Sequence, residues 1–321
     1  IFNWLDFKIR KDTKGDIWFV SGSGIIRYDG EYFLHYYMSE GLIGGITSIT
    51  VDKQNNIWVS TWGSGVKKIQ VQSFRYYTQF EDLDFGTVNS IIENRAGDIR
   101  FGTLSGIFIY DGNSVNLFSG SEGRFYGAFR CMMEGEDGSI WLGFNNDRKG
   151  LYKYGENSSE LYYPEEPLFQ SHIQCMYKDT QGIIWMGTWG NGMIRYDGES
   201  FTIFGETATS ARSKINRTAP RFIRSILQDR KGNIWYGGSG QGVFKYNGKY
   251  VIQYTVDAGQ FSTTSLYEDV NGSLWIGTSK AGIYKYDGHS CLLYTSPSPR
   301  DSTLDLVCRL LLEKGGGGGG G

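Results

Sequence analysis

Residues 179–198 read DTQGIIWMGTWGNGMIRYDG, and this pattern of one tryptophan among glycines and a closing Tyr-Asp-Gly returns along the whole chain. The related segments are DTKGDIWFVSGSGIIRYDG (12–30), DKQNNIWVSTWGSGVKKI (52–69), NRAGDIRFGTLSGIFIYDG (94–112), GEDGSIWLGFNNDRKGLYKYG (135–155), DRKGNIWYGGSGQGVFKYNG (229–248) and DVNGSLWIGTSKAGIYKYDG (269–288). We call the position of Trp185 within the repeat the anchor. The anchors are Trp18, Trp58, Arg100, Trp141, Trp185, Trp235 and Trp275.

The anchors recur about every 40 to 50 residues, which is the period of a four-stranded propeller blade. Each repeat can be divided into four strands. The first precedes the anchor, and the second carries it within an apolar run typical of a strand covered on both faces. The third leads into Asp-Gly or Asn-Gly, which favours a two-residue type I′ hairpin before the fourth. Since one such blade cannot bury both of its faces, the sequence predicts an all-β fold, a seven-bladed β-propeller of four-stranded blades.

The predicted propeller covers residues 1–290. The chain begins at Ile1 without a methionine, so we expect a fragment of a larger protein. The seventh repeat is cut short at its outer strand, and IFNWL (1–5) is a candidate to supply that strand. Ring closure, and whether a second propeller is present, are left open at this stage.

Residues 291–321 break the repeat completely. CLLYTSPSPRD (291–301) back-translates to a sequence that resembles a transposon-end adapter used in sequencing libraries, and LVCRLLLEK (306–314) resembles an outer adapter. The glycines from Gly315 to Gly321 resemble a poly-G read. We therefore predict that 291–321 is a non-native, disordered read-through tail and exclude it from fold reasoning. The alternative is a genuine linker with a glycine end.

Composition limits the classes of partner. The formal net charge of −2 does not favour a nucleic-acid binder, because such binding rests on neutralising phosphates with Lys and Arg. The sequence contains no apolar run long enough to cross a membrane, so we expect no membrane contact from this fragment. It also lacks metal-ligand spacings and nucleophile motifs, so we predict no cofactor, no metal and no catalytic residue.

The repeat consensus D-x-x-G-x-I-W-x-G-T-x-x-G-I-x-K-Y-D-G resembles the two-component regulator propeller repeat over residues 12–288. Departures are Arg100 at the anchor, Gly135 for the leading aspartate and Ile69 for the third-strand tyrosine. The resemblance implies a periplasmic sensor region of a bacterial hybrid two-component system, followed in the full-length protein by a β-sandwich, a membrane helix and a histidine kinase or other output. It further implies an oligosaccharide ligand. A homodimer of the full-length protein is left open.

Two repeats carry a tryptophan four residues after the anchor. These residues are Trp62 and Trp189, and the fold does not require an aromatic side chain at this position. An indole at the rim is a stacking platform for a sugar ring, because its flat apolar face pairs with C–H groups while its N–H stays available. The alternative is that both side chains pack against the loop of the next blade. We predict ligand-binding roles for both tryptophans.

Eleven residues before the anchor, polar residues stand at the entrance of the innermost strand, where they should ring the mouth of the channel. They are Thr47, Asn89, Arg130, Gln174, Arg224 and Thr264. An inserted loop, GETATSARSKINRTAPRF (205–222), leads to the same face and adds basic residues that include Arg212. Guanidinium groups bind carboxylate and sulfate bidentately, which favours an anionic oligosaccharide. A solvated loop without a ligand is the alternative.

The predicted ligand-binding residues are therefore Trp62, Trp189, Asn89, Arg130, Gln174, Arg224 and Arg212. Two other functions stay open. A streptogramin-lyase-type propeller would need a metal-binding acid and a base at the mouth, where this sequence has Arg, Gln, Asn and Thr. A protein-interaction scaffold is the other alternative, and a double change of Trp62 and Trp189 would separate it from a glycan sensor.

Overall fold

The computed structural model describes residues 7–21, 24–36, 45–70, 73–77, 79–80, 83–84, 86–118, 129–144, 150–155, 159–162, 172–204, 220–256, 261–279, 281–294, 306–308 and 310–313. In these residues all regular structure is β-strand, arranged as a seven-bladed β-propeller, so the predicted fold class is confirmed. The chain divides into two compact units, Ile1–Met176 and Tyr177–Gly321. The predicted role of IFNWL lies outside the described residues.

Unit 1 contains the first four blades, and each is an antiparallel sheet whose strands follow in chain order. Its strands are β1 (Lys8–Lys11), β2 (Ile17–Ser21), β3 (Gly24–Tyr28), β4 (Phe33–Tyr36), β5 (Ile46–Val51), β6 (Ile57–Thr61), β7 (Val66–Gln70), β8 (Ser73–Tyr77), the small hairpin β9 (Gln79–Phe80) and β10 (Leu83–Asp84), β11 (Val88–Glu93), β12 (Ile99–Thr103), β13 (Gly106–Tyr110), β14 (Val115–Leu117), β15 (Phe129–Glu134), β16 (Ile140–Phe144), β17 (Leu151–Tyr154) and β18 (Ser159–Tyr162).

The unit boundary falls within the first strand of blade 5, and unit 2 holds the remainder of blade 5 with blades 6 and 7. The strands are β19 (Ile173–Lys178), β20 (Ile184–Thr188), β21 (Met193–Tyr196), β22 (Phe201–Ile203), β23 (Ile223–Gln228), β24 (Ile234–Gly238), β25 (Val243–Tyr246), β26 (Val251–Val256), β27 (Ser262–Glu268), β28 (Leu274–Ser279), β29 (Ile283–Tyr286), β30 (Cys291–Tyr294), β31 (Leu306–Cys308) and β32 (Leu310–Glu313). The last three lie within 291–321, and the status of that segment as a non-native tail stays a prediction.

The second strands form the core, as their continuous apolar runs predict. Every residue of β2, β6, β16, β20 and β24 is buried. Apolar layers fill the space between successive blades. One joins Trp18 of blade 1 to Ile49 and Ile69 of blade 2, and another joins Trp58 of blade 2 to Phe101 of blade 3. Burying side chains of this size contributes about 2 to 3 kcal/mol each, so stacking the blades is what stabilises them.

The hairpin between the third and fourth strands differs from the prediction. Tyr28 pairs with Phe33, and the Asp29 N–H donates to the Tyr32 carbonyl at 3.3 Å. The two central residues are thus Gly30 and Glu31 rather than Asp29 and Gly30, and neither Asp29 nor Glu31 has positive φ. The type I′ prediction is therefore wrong. The carboxylate of Asp29 accepts the N–H groups of Glu31 and Tyr32 at 3.0 and 2.8 Å, and the Tyr28 hydroxyl donates to the Gly30 carbonyl. This side-chain cap removes the need for positive φ at the aspartate.

A repeated hydrogen bond joins successive blades at the turn between their first two strands. The backbone N–H of the residue after the leading position donates to a side chain of the next blade at 2.7 to 2.9 Å. We call this bond the clamp. The described clamps are Thr13 to Asn55, Lys53 to Glu93, Arg95 to Glu134, Thr180 to Gln228 and Arg230 to Glu268.

Candidate functional site

The turns between second and third strands lie beside the residues that enter the next blade. The Gly65 N–H donates to the Gly86 carbonyl at 3.1 Å in unit 1, and the Gly192 N–H donates to the Arg221 carbonyl at 3.1 Å in unit 2. We call these turns, together with the residues just before each first strand, the entry face of each unit. Loops at such a face carry function on a fixed scaffold.

Most of the polar residues predicted at the channel mouth lie at the same irregularity in the pairing of the first and second strands. In five first strands the pairing with the second strand skips one residue, which is a β-bulge. The skipped residues are Thr47, Asn89, Arg130, Arg224 and Thr264. Because a bulge re-aims a side chain and interrupts the ladder, it is a common device next to binding sites.

In unit 1 the bulge residues Asn89 and Arg130 stand on neighbouring first strands, β11 and β15. Asn89 is half-buried and Arg130 is exposed. Gln174 has the equivalent sequence position on β19, and its Nε2 donor is buried without a hydrogen-bond partner. A buried unpaired amide donor is costly, and a ligand or a bound water is the usual reason for one. These three side chains supply donors and acceptors suited to sugar hydroxyls or to an acidic group.

The two bulge threonines serve the scaffold instead. The Thr47 hydroxyl donates to the Val88 carbonyl of the next blade and is 2.7 Å from the Ser60 hydroxyl. Thr264 is buried. The polar arc in unit 1 therefore consists of Asn89, Arg130 and Gln174, and it does not extend to Thr47.

Trp62 is the most open of the predicted rim residues, with 63% of its surface exposed. Its backbone is fixed, because its N–H donates to the Gly45 carbonyl at 2.8 Å. On the next blade Leu104 occupies the equivalent position and is 49% exposed. Leu104 is not among the ligand-binding residues predicted from the sequence, because only aromatic residues at this position indicated a stacking role. Trp62 and Leu104 together form an apolar rim on adjacent blades of unit 1.

In unit 2, Trp189 is 45% exposed and contacts the entry of the next blade. It forms an antiparallel bridge with Phe222, and the two rings meet edge to face with centroids 5.1 Å apart. The alternative of packing against the next blade is therefore correct for one side of this ring, while nearly half of the side chain faces solvent.

Two arginines stand on the blade that Trp189 contacts, on either side of Phe222 in the sequence. Arg224 is the half-buried bulge residue of β23, and Arg221 is exposed. The Arg221 carbonyl accepts the Gly190 N–H at 2.8 Å, so its backbone lies against the Trp189 turn. Arg212 lies outside the described residues. The structure thus brings Trp189 and Arg224 to one junction of unit 2, and it brings Asn89 and Arg130 to neighbouring strands of unit 1.

Groups that could support hydrolysis or metal chemistry are scarce at these positions. Among the residues that the structure describes, no cluster of three His, Cys, Asp or Glu side chains could hold a metal ion. Cys131 follows Arg130, and burial raises the pKa of its thiol far above the ordinary value, so it stays protonated. The same residues include no helix long and apolar enough to cross a membrane.

The repeated blades, with candidate binding residues in the loops that connect them, define the class of protein as a repeat propeller. Comparison with known proteins identifies the repeat. Residues 42–63, 167–190, 219–240 and 258–280 match the family model described as two component regulator propeller. These four segments therefore match the two component regulator propeller repeat, which is the resemblance that the sequence consensus predicted. No curated protein matches the chain.

Solved structures share the fold at low identity. An extracellular domain described as that of a hybrid two component system, BT3049 from B. thetaiotaomicron, aligns with a TM-score of 0.70 and 17% identity, covering 96% of this chain and 44% of its own. The corresponding BT4673 domain from the same organism gives 0.67 and 15%, covering 93% and 45%. A catalytically inactive virginiamycin B lyase from Staphylococcus aureus gives 0.66 and 15%, covering 85% and 92%. The chain spans less than half the length of the two sensor domains.

Proposed function

We propose that this chain is the ligand-binding part of an extracytoplasmic sensor in a bacterial two-component system, and that it binds an oligosaccharide, preferably an anionic one, without transforming it. The observation that carries the proposal is the presence of an exposed indole at equivalent turns of the two units, Trp62 on the entry face of unit 1 and Trp189 on the entry face of unit 2. An exposed indole on a fixed turn costs little entropy to engage and stacks on the apolar face of a sugar ring.

Three bulge residues, together with Gln174 at the equivalent sequence position, supply the polar half of such a site. Sugar rings present hydroxyls around an apolar face, so a binding site needs both aromatic surface and directed donors and acceptors. Asn89, Arg130 and Gln174 offer these in unit 1, and Arg224 does so in unit 2. The guanidinium groups favour a carboxylate or sulfate on the ligand.

The family match and the sensor domains among the similar structures support the location and the wider assembly that we propose. We place the chain in the periplasm, on a full-length protein whose later domains, including a histidine kinase, carry the response. Binding would bias one of two arrangements of the propeller and those domains.

A lyase is the second candidate, because a lyase is also among the similar folds. The described mouth positions argue against it, since they carry Arg, Asn, Gln and Thr in place of an acid and a base. A protein-interaction scaffold would use the same exposed indoles to bind a protein surface. The outcomes of one titration series distinguish all three.

The test titrates a panel of neutral and anionic oligosaccharides into the chain by calorimetry and follows each mixture by mass spectrometry. We expect Trp62→Ala and Trp189→Ala each to weaken binding by about tenfold, because loss of a stacking contact of about 1.4 kcal/mol corresponds to that factor. Tyr32→Ala and Tyr250→Ala are matched controls, since both remove exposed aromatics at hairpins away from the entry face.

Three outcomes would contradict the proposal. Absence of binding to every oligosaccharide would leave the scaffold, and cleavage products in the mass spectra would establish the lyase. Equal binding by wild type and both tryptophan variants would show that the site lies elsewhere.

A further inference from the structure

Trp62 and Trp189 occupy the same place in the fold but have different neighbours in the next blade. In both, a glycine of the turn donates to a carbonyl two residues before the next first strand, the Gly65–Gly86 and Gly192–Arg221 bonds. The repeat therefore presents two versions of one constellation, one in each unit. Any difference in what they bind must come from the side chains around the indole.

Around Trp62 the next blade contributes small or uncharged groups. Gly86 accepts the turn hydrogen bond, Thr87 follows it, and Asn89 is the bulge residue. Such neighbours offer neutral donors and acceptors and leave the indole open. This arrangement suits a sugar ring whose hydroxyls are its only polar groups.

Around Trp189 the same three places carry Arg221, Phe222 and Arg224. Phe222 meets the indole edge to face at 5.1 Å and is bridged to its backbone, which fixes the plane of the ring. The Phe222 carbonyl also accepts the Ser239 N–H at 3.1 Å, so the phenylalanine itself is held by its own blade. We call Trp189, Arg221, Phe222 and Arg224 the Trp189 cluster.

We propose that the Trp189 cluster is an anionic-sugar subsite, in which the indole stacks on the ring and Arg221, with Arg224, binds the carboxylate or sulfate that the ring carries. The Trp62 turn is the neutral counterpart. This inference rests on the proposed function and deepens it, because it assigns charge recognition to one junction of unit 2. Charge-assisted hydrogen bonds from a guanidinium are stronger than neutral ones and fix the orientation of the acidic group.

The test uses matched probes that differ only in charge. Calorimetric titrations compare α-1,4-linked trigalacturonate with α-1,4-linked galactotriose, and a sulfated carrageenan tetrasaccharide with its desulfated form. The first pair tests a carboxylate and the second a sulfate. We expect Arg221→Gln to weaken binding of the charged member by about 10- to 100-fold, as loss of a charge-assisted hydrogen bond does, with little change for the neutral one.

Lys231→Gln is the matched control, because it removes an exposed cation from the same blade at the turn between its first two strands. It should leave the preference for the charged probe intact. In wild type the affinity for the charged probe should fall as salt is added, and Arg221→Gln should flatten that dependence.

The results separate this inference from the proposed function. If each charged probe binds no better than its neutral partner, or if Arg221→Gln changes both members equally, the charge assignment is wrong while oligosaccharide binding stands. If Lys231→Gln has the same effect as Arg221→Gln, the preference comes from overall charge and the cluster is not a subsite. Failure of both pairs to bind would count against the proposed function itself.

Discussion

In five blades the anchor tryptophan is held by the aspartate that leads the repeat. The indole N–H donates to that carboxylate at 2.7 to 3.0 Å, while the other oxygen caps the turn. In four blades a lysine of the third strand lies over the anchor ring, with its Nζ 5.0 to 5.4 Å from the ring centre. The sequence shows that the aspartate and the tryptophan recur together but not the bond between them, because nothing in the spacing shows that the turn brings the two side chains into contact.

Blade 3 departs from this arrangement at all three positions. Asn94 replaces the aspartate, Arg100 the tryptophan, and Ile109 stands opposite Arg100 where other blades have a cation. The Nε and Nη1 donors of Arg100 are buried without partners, and desolvation lowers the pKa of its guanidinium. The three changes avoid placing two cations against each other, and the charges of Glu134 and Asp98 only partly offset the desolvation of the guanidinium.

We therefore expect Arg100→Met to stabilise the chain. Replacing poorly paired buried charge with an apolar side chain of similar length is often neutral or favourable, and here we expect a gain of about 1 kcal/mol in the free energy of unfolding. Urea denaturation measures it. Trp58→Met at the equivalent place in blade 2 is the control and should cost about 3 kcal/mol, because it leaves a cavity and removes the indole donor to the Asp52 carboxylate. A destabilised Arg100→Met would show that the guanidinium has a partner of its own.

At the scale of the element, the hairpin and the bulge show where sequence patterns mislead and where they succeed. Asp-Gly predicted a type I′ turn with the aspartate at its centre, yet the aspartate stands before the two central residues and its side chain caps the turn, as Asp197 does by accepting the Glu199 and Ser200 N–H groups. The polar positions before each anchor were found because they repeat. That five of them are β-bulges could not be foreseen, since the extra residue shows only when strands are paired.

The capped hairpins should make stability depend on acid pH. The N–H groups of Ser200 and Glu199, with Arg195, lower the pKa of Asp197 to about 2 from an ordinary 3.8. A depressed carboxyl pKa contributes stability above the ordinary value, which is lost as pH falls from about 4 to about 2. Asp197→Asn should therefore flatten the fall in Tm over that range.

Blade 6 provides a natural control for this prediction, because Asn247 already fills the same position and accepts the Lys249 and Tyr250 N–H groups. Asn247→Asp should steepen the acid-dependent fall in Tm. Thermal melts from pH 5 to pH 2 measure both variants. A profile that neither substitution alters would mean that these carboxylates do not control acid unfolding.

Across the whole molecule, the clamp is the most regular contact between blades. In four of the described clamps the acceptor directly precedes the leading position of its blade, as Glu93 does. Blade 2 has Val51 there, and Asn55 supplies the acceptor by adopting a φ of 64°, where other repeats have glycine. Asn55 is the only non-glycine residue with positive φ in the described part of the chain. A lost acceptor is thus replaced within the same turn.

This replacement gives a test of the clamp. Asn55→Gly relaxes the backbone but removes the acceptor, and we expect a net loss of about 1 kcal/mol in the free energy of unfolding. Val51→Glu in the Asn55→Gly background rebuilds the common arrangement and should recover most of that loss. Val51→Gln tests whether charge is needed, since Gln228 already serves in blade 6. If Asn55→Gly is as stable as wild type, the clamp adds nothing measurable.

The sequence predicted the large features of this molecule because they are repeated. The anchors, the four strands of each blade and the polar bulge positions follow from comparing one copy with another. Features that occur once could not be found in this way. The perpendicular contact of Trp189 with Phe222 and the exposed Leu104 depend on which residues meet across two blades, and a repeat alignment contains no information about that.

The clamp has a consequence for how such chains change length. In the clamps of the described residues, a blade offers a backbone donor to its successor and most blades offer a Glu or Gln acceptor to their predecessor, so a duplicated blade of this kind brings both halves of the bond with it. A copying event that adds one repeat creates new junctions that are already compatible. The chain can therefore gain a blade without first acquiring a new contact, and a later change such as Asn55 can mend a junction that has lost its acceptor.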